Sequence, residues 1–172
     1  MRIAMTVGAL AVATAFGVQA APAAVADTTG DGSLPDGQVL TAYDVADPAI
    51  GRLEPRLLTA IQNATSAAAD EGITMTINSG WRSPQFQQQL LDDAVNTYGS
   101  LDAARQYVQT PQLSKHVTGE AVDVGGTGTD QWLIANGSRF GLCQIYANEL
   151  WHFELATDLF GVCPPLLPNA AG

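Results

Sequence analysis

The sequence predicts an α+β fold: a small, mainly antiparallel sheet with helices packed on one side. Three observations carry this reading. Between Pro55 and Gly72, Leu57, Ile61, Ala64 and Ala68 recur at helical spacing. The run Ile73-Thr74-Met75-Thr76-Ile77-Asn78 alternates apolar and polar residues, the period of a half-buried strand. Taken along the chain, the predicted elements follow the order α-β-α-α-β-α-β-β.

The first helix is expected from Pro55, a favoured first helical position, to about Glu71, with Gly72 as its stop. The strand 73–78 follows and breaks at Ser79-Gly80. Ser83-Pro84 reads as an N-cap with proline at the first turn of a second helix. Its apolar face would carry Phe86, Leu90, Leu91 and Val95, and it would end near Tyr98-Gly99. A short helix from Leu101 to Val108, capped by Ser100, should end at Thr110-Pro111. Residues 111–119 read as a loop, and Ala121 to Val124 as a strand stopped by Gly125-Gly126. Asp130 is placed as the cap of a helix from Gln131 to about Ser138, with Trp132, Leu133 and Phe140 inward and Gly141 beyond. Leu142 to Tyr146 and Trp151 to Leu155 complete the strands. The segment with Pro164, Pro165 and Pro168 is expected to be irregular.

At 172 residues, with 47% hydrophobic and 14% charged residues, the chain has the composition of one globular domain rather than a disordered segment. Residues 1–26 read as a signal peptide. Arg2 is followed by an uncharged Ala- and Val-rich run, with small-residue cleavage sites at Val18-Gln19-Ala20 and Ala24-Val25-Ala26. The second site is favoured because polar Asp27-Thr28-Thr29-Gly30 follows it. Residues 27–53 then form a lead-in arm, with Leu40 to Ile50 irregular, and 54–172 the main domain. The product would be secreted or held in the cell envelope, with no membrane span left after cleavage.

The formal charge of −10 argues against a nucleic-acid partner and against general attraction to an anionic polymer. An anionic substrate would need one or two placed cations. Two cysteines, Cys143 and Cys163, in an exported chain point to one disulfide. Closing that loop stabilises a fold by roughly 3 kcal/mol in the chain-entropy picture. Metal ligation by both thiols is the alternative, but their spacing matches no familiar zinc pattern.

The chain has two histidines. His116 lies in Ser114-Lys115-His116-Val117-Thr118-Gly119-Glu120-Ala121-Val122-Asp123, and His152 in Glu149-Leu150-Trp151-His152. Two imidazoles and a carboxylate are ligand types zinc accepts, and a spare glutamate is what a zinc hydrolase needs. His116 on a loop that folds back at Gly119 can meet Asp123 on a strand. A surface or hydrogen-bonded imidazole is the bland reading of each histidine. Glu149 and His152, three apart, would point to opposite faces of a regular strand. Both can face one metal only if Glu149 sits on a turn leading into a strand near Trp151. Arg82, at a strand end, can hold a substrate carboxylate or a developing oxyanion, although an arginine there is more often a surface or capping residue.

Four stretches, in order and spacing, resemble the VanY-type D-alanyl-D-alanine carboxypeptidases, zinc peptidases of the M15 family. They are Ser79-Gly80-Trp81-Arg82-Ser83 with Gln87 and Leu90; Ser114-x-His116-x-Thr118-Gly119-x-Ala121-Val122-Asp123-Val124; Trp132-Leu133 with Phe140-Gly141; and Glu149-x-Trp151-His152-Phe153. The resemblance covers roughly residues 54 to 155. It implies an M15/hedgehog-like fold with one Zn²⁺ per chain at the sheet, ligated by His116, Asp123 and His152. Glu149 would be the general base, and Arg82 would stabilise the oxyanion or fix the substrate. Gln87 and Ser114 would contact substrate. The implied partners are peptidoglycan stem peptides, cut by a monomer that releases terminal D-Ala. Alternatives on the same scaffold are an LD-carboxypeptidase, a D,D-dipeptidase or an endopeptidase, and outside enzymes a non-catalytic zinc-containing wall-binding domain. The sequence departs from the usual pattern at Trp81 (usually Tyr), Lys115 (usually acidic), Leu150 (usually Pro) and Glu154 (often basic). These departures touch substrate preference rather than the ligand set.

Overall fold

The structure is a computed structural model, and it describes residues 30–172. The signal segment expected at 1–26 lies outside the described residues. No helix among the described residues is long and apolar enough to cross a membrane.

Among the described residues five α-helices and four strands follow one another. They are α1 (Pro48–Gly51), α2 (Pro55–Asp70), β1 (Thr76–Ser79), α3 (Pro84–Tyr98), α4 (Leu101–Ala104), β2 (Ala121–Gly125), α5 (Thr129–Asn136), a 3₁₀ turn at Gly137–Phe140, β3 (Leu142–Gln144) and β4 (His152–Leu155). The strands form one sheet in the order β1-β2-β4-β3, antiparallel throughout.

The helices begin and end where local chemistry dictates. Glu54 caps α2 through its carboxylate, and Gly72 leaves the helix at φ +79°. In α3 the Ser83 hydroxyl accepts from the Phe86 amide, and Gly99 closes the helix in the left-handed region.

Several expected bounds are corrected. The strand predicted at 73–78 is Thr76–Ser79, because the Ile73 amide donates to Ala68 and closes α2 instead. The helix predicted at 101–108 stops at Ala104, beyond which Gln106 and Tyr107 make turn-type bonds three residues back. Asp130 does not cap α5; Gly128 does, without a side-chain bond, and Asp130 sits in the first turn. The tightening at Gly137 ends that helix at Asn136. The last strands are shorter than predicted, at 142–144 and 152–155. On α3 the buried line is Gln87, Leu91 and Ala94, whereas Phe86, Leu90 and Val95 are half-buried. At Gln87 that helix faces a polar cleft, so a glutamine takes the place expected for an apolar side chain.

The two faces of the sheet have different chemistry. On one, Ile77, Val122, Leu142 and Phe153 meet Leu57, Ile61, Ala64 and Ala68 of α2 and Trp132 and Leu133 of α5. Leu40, Ala42, Ala49, Ile50 and Leu53 join the same core, so the described part of the lead-in arm packs as core and includes α1 rather than being irregular throughout. Leu40 also bridges Ile77 at the free edge of β1. On the other face the register sets Asp123 opposite His152 and Ala121 opposite Glu154. Strand period dictates this split: Val122 and Phe153 go to the core, and their neighbours face away from it. Cys143 of β3 is bonded to Cys163, with 5.6 Å between their Cα atoms.

Candidate metal centre

Three chain segments converge on the polar face. β2 supplies Asp123, β4 supplies His152, and the loop before β2 supplies His116. One ligand atom from each lies within 4.8 Å of the others, and all three residues are buried. Asp123 Oδ1 is the common point, 3.3 Å from His116 Nε2 and 3.1 Å from His152 Nδ1.

Two glycines make the convergence possible. Gly119 turns the loop back at φ +74°, and a Cβ there would lie 2.5 Å from the Arg52 carbonyl oxygen. Gly80 passes so close to α1 that a Cβ would lie 2.0 Å from the Ala49 oxygen. The Gly80 carbonyl then accepts from His116 Nδ1 at 2.8 Å. That bond leaves Nε2 of His116 free of its proton and turned to the cluster. His152 is held the opposite way round. Its Nε2 donates to Glu154 Oε1 at 3.0 Å, and Nδ1 faces Asp123.

Arg82 follows β1 and braces the carboxylate from behind. Nη2 donates to Asp123 Oδ2 at 2.8 Å, Nε to Ser79 Oγ at 2.8 Å and Nη1 to Gln87 Oε1 at 3.1 Å. Gln87 in turn donates through Nε2 to the Gln109 carbonyl at 2.8 Å. Gln87 therefore lines the cleft with its amide committed to Arg82 and Gln109. Ser114 is buried at the cleft wall. Lys115 lies at the rim and pairs with Glu120 at 2.8 Å.

Glu149 lies on the turn before β4, where the His152 amide donates to its carbonyl. This is the placement that lets residues 149 and 152 face one point. Its Oε1 is buried without a hydrogen-bond partner among the described residues. Burial raises its pKa to about 7, reinforced by Asp123 and opposed by His152 and Arg82. Burial would also raise Asp123, but His116, His152 and Arg82 override it and hold the carboxyl well below its usual range. Burial and then Arg82 lower His116. For His152, burial is outweighed by Asp123 and Glu154, which push it up to about 9.

The donor set fits a zinc ion. Two imidazole nitrogens and one carboxylate oxygen converge, each ring is fixed by a partner on its other nitrogen, and an unpartnered carboxylate stands beside them. The cluster opens into a cavity of about 230 Å³. Tyr146 covers one side, its ring 5.0 Å from that of His152.

Glu154 and Tyr146 were not assigned a role from sequence. A signal for Glu154 did exist: it lies two residues after His152 on a strand, so it shares the same face. Tyr146 carried none, because its approach depends on how the turn 145–151 folds back.

Fold and site together define a class: α+β domains with a buried metal-binding cluster and a poised carboxylate on the open face of an antiparallel sheet. A family model described as VanY, D-alanyl-D-alanine carboxypeptidase, matches residues 51–156, and the chain belongs to that family. A curated D-alanyl-D-alanine carboxypeptidase of Enterococcus faecalis is 29% identical over 144 residues, covering 65% of this chain and 54% of the relative. The chain thus spans about half the length of that curated relative. A crystal structure of a mutant vancomycin-resistance D,D-pentapeptidase VanY in complex with Zn(II) is 26% identical, with a TM-score of 0.57 over 69% of this chain and 78% of that one. An L,D-carboxypeptidase, DacB, from Streptococcus pneumoniae is 28% identical, with a TM-score of 0.51 over 59% of this chain and 65% of that one.

Proposed function

We propose that this protein is an exported zinc metallopeptidase that hydrolyses peptidoglycan stem peptides as a D-alanyl-D-alanine carboxypeptidase. The observation that carries the proposal is the buried, unpartnered Glu149 carboxylate beside a complete His116, Asp123 and His152 ligand set. Bound there, zinc supplies a Lewis acid and an acidified water. Glu149 would take a proton from the attacking water at its free carboxylate oxygen and return it to the leaving amine. In the metal-free protein burial holds its pKa up at about 7. Arg82 joins His116 and His152 in keeping Asp123 ionised, and its guanidinium at the cleft wall would be the cation for a developing oxyanion or a substrate carboxylate.

Family membership and the zinc-bound VanY relative support this reading. Glu149 also weighs against a purely wall-binding domain, which has no use for a buried carboxylate costly to desolvate. Export rests on the signal read at 1–26, with 27–53 as the arm and 54–172 as the peptidase domain, working as a monomer. The test is to incubate zinc-loaded protein with a defined stem pentapeptide and weigh the products. Loss of one alanine supports the proposal. Loss of Ala-Ala transfers the protein to the dipeptidases, and no cleavage of any stem peptide overturns the hydrolase reading.

A further inference from the structure

Residues 163–172 lie beyond the family match, which ends at 156, yet they are tied to the elements around the cleft, and Ala170 lines it. The Cys143–Cys163 bond ties this strap to β3. Leu167 then runs beside Tyr146: its amide donates to Ile145 at 2.9 Å, and its carbonyl accepts from Ala147 at 2.8 Å. Further on, the Ala170 amide donates to Gln106, and its carbonyl accepts from Gln109 Nε2 at 2.8 Å. A continuous hydrogen-bonded line therefore runs from Asp123 through Arg82, Gln87 and Gln109 to Ala170. Ala170 is 8% exposed and lines the same cavity as the ligand set.

Building on the stem-peptide reading, we infer that the strap is a specificity-determining wall of the cleft, which limits the site to the short end of a peptide with small side chains. At about 230 Å³ the cavity is smaller than the ~300–1,000 Å³ typical of pockets for drug-sized ligands. Ala170 lines it with a side chain of a single methyl group, so a larger side chain at 170 should take space from the peptide. The disulfide and the Leu167 bonds keep the wall from swinging away.

The test uses the full chain, zinc-loaded, in a Glu149→Ala background so that bound peptide is not turned over. Calorimetry reads the Kd for D-Ala-D-Ala and, separately, for zinc. Ala170→Trp should weaken dipeptide binding by roughly tenfold or more with zinc affinity unchanged. If that variant does not fold, Ala170→Val carries the same test at a smaller size. An unchanged dipeptide Kd in a folded, zinc-loaded variant overturns the wall. In parallel, the Glu149 protein is assayed on the stem pentapeptide. If dipeptide binding responds to residue 170 but no stem peptide is cut, the wall stands and the hydrolase reading falls. If stem peptides are cut with the same KM in the Ala170 variant, the hydrolase reading stands and the wall falls. A chain that neither binds the dipeptide nor cuts the peptide overturns both.

Discussion

The loop that carries His116 and the strand that carries His152 bring the same side chain to the same Asp123 oxygen, yet the two rings titrate in opposite directions. His116 is held by the neutral Gly80 carbonyl and lies near the Arg82 charge, and its pKa falls. His152 is held by the Glu154 carboxylate on one nitrogen and Asp123 on the other, and its pKa rises to about 9. Burial works against the charged form in both cases. The partner of each ring's second nitrogen therefore decides the sign. Were both rings to bind a metal, the lowered pKa of His116 would favour its neutral form, and the raised pKa of His152 would make protons compete with the ion there.

The largest expected effect leaves the two histidines alone. Glu149→Ala should lower kcat by roughly 10²–10⁴-fold while zinc affinity, measured by competition with a chelator, stays within error. Full activity in that variant would remove Glu149 from the proton transfer.

The pH dependence tests the asymmetry directly. His152 has a folded pKa above its unfolded value, so metal-free protein gains stability from it below about 6.5 and loses that gain as pH rises through about 9. The full swing is on the order of 3 kcal/mol at most. His116, lowered by burial, contributes in the opposite sense. Denaturant melts of metal-free protein between pH 6.5 and 9 should show falling stability, and His152→Gln should flatten the slope. With zinc present the trend should reverse, because protons compete with the metal for His152. An unchanged slope in His152→Gln would assign the pH effect elsewhere.

Glu154→Gln makes the two histidine environments alike. It should lower the His152 pKa, read by NMR titration, and weaken zinc binding by roughly 10–100-fold. A normal zinc affinity would reduce Glu154 to a surface carboxylate. The smallest effect is expected at the rim. Lys115→Ala breaks an ion pair whose two side chains are each 46% exposed, so the stability change should stay below about 1 kcal/mol. A larger loss would mean that Lys115 supports the His116 loop.

Much of this was written locally. Pro55, Gly72, Ser83, Pro84 and Gly99 mark both long helices because capping depends on residues within a turn of each end. That His116, Asp123 and His152 should meet beside Glu149 was legible because histidines are scarce here and their neighbours match a family pattern. The turn at 149 followed from strand geometry once Glu149 and His152 were taken to face one metal, since two residues three apart on a regular strand cannot share a face.

What tertiary structure alone decided is long-range. Antiparallel register places Asp123 opposite His152, and a slip of one residue in either strand would turn that strand's residue to the core and separate the two. Gln87 lies buried on α3 because its turn of the helix faces the polar cleft, whereas Leu91 and Ala94 further on pack against Ala104. β1 starts only at Thr76 because Ala68 at the end of α2 takes the Ile73 amide, and beyond Gln144 the chain leaves β4 to bridge Leu167 at Tyr146. Glu154 became a partner of His152, and residues 163–172 a wall of the cleft, only through contacts between distant segments. The sequence by itself determined what depends on neighbouring residues, namely the helix ends and the chemistry of the candidate ligands. The tertiary structure decided which groups meet, because hydrogen-bond partners across a sheet or a cleft are chosen by register and packing.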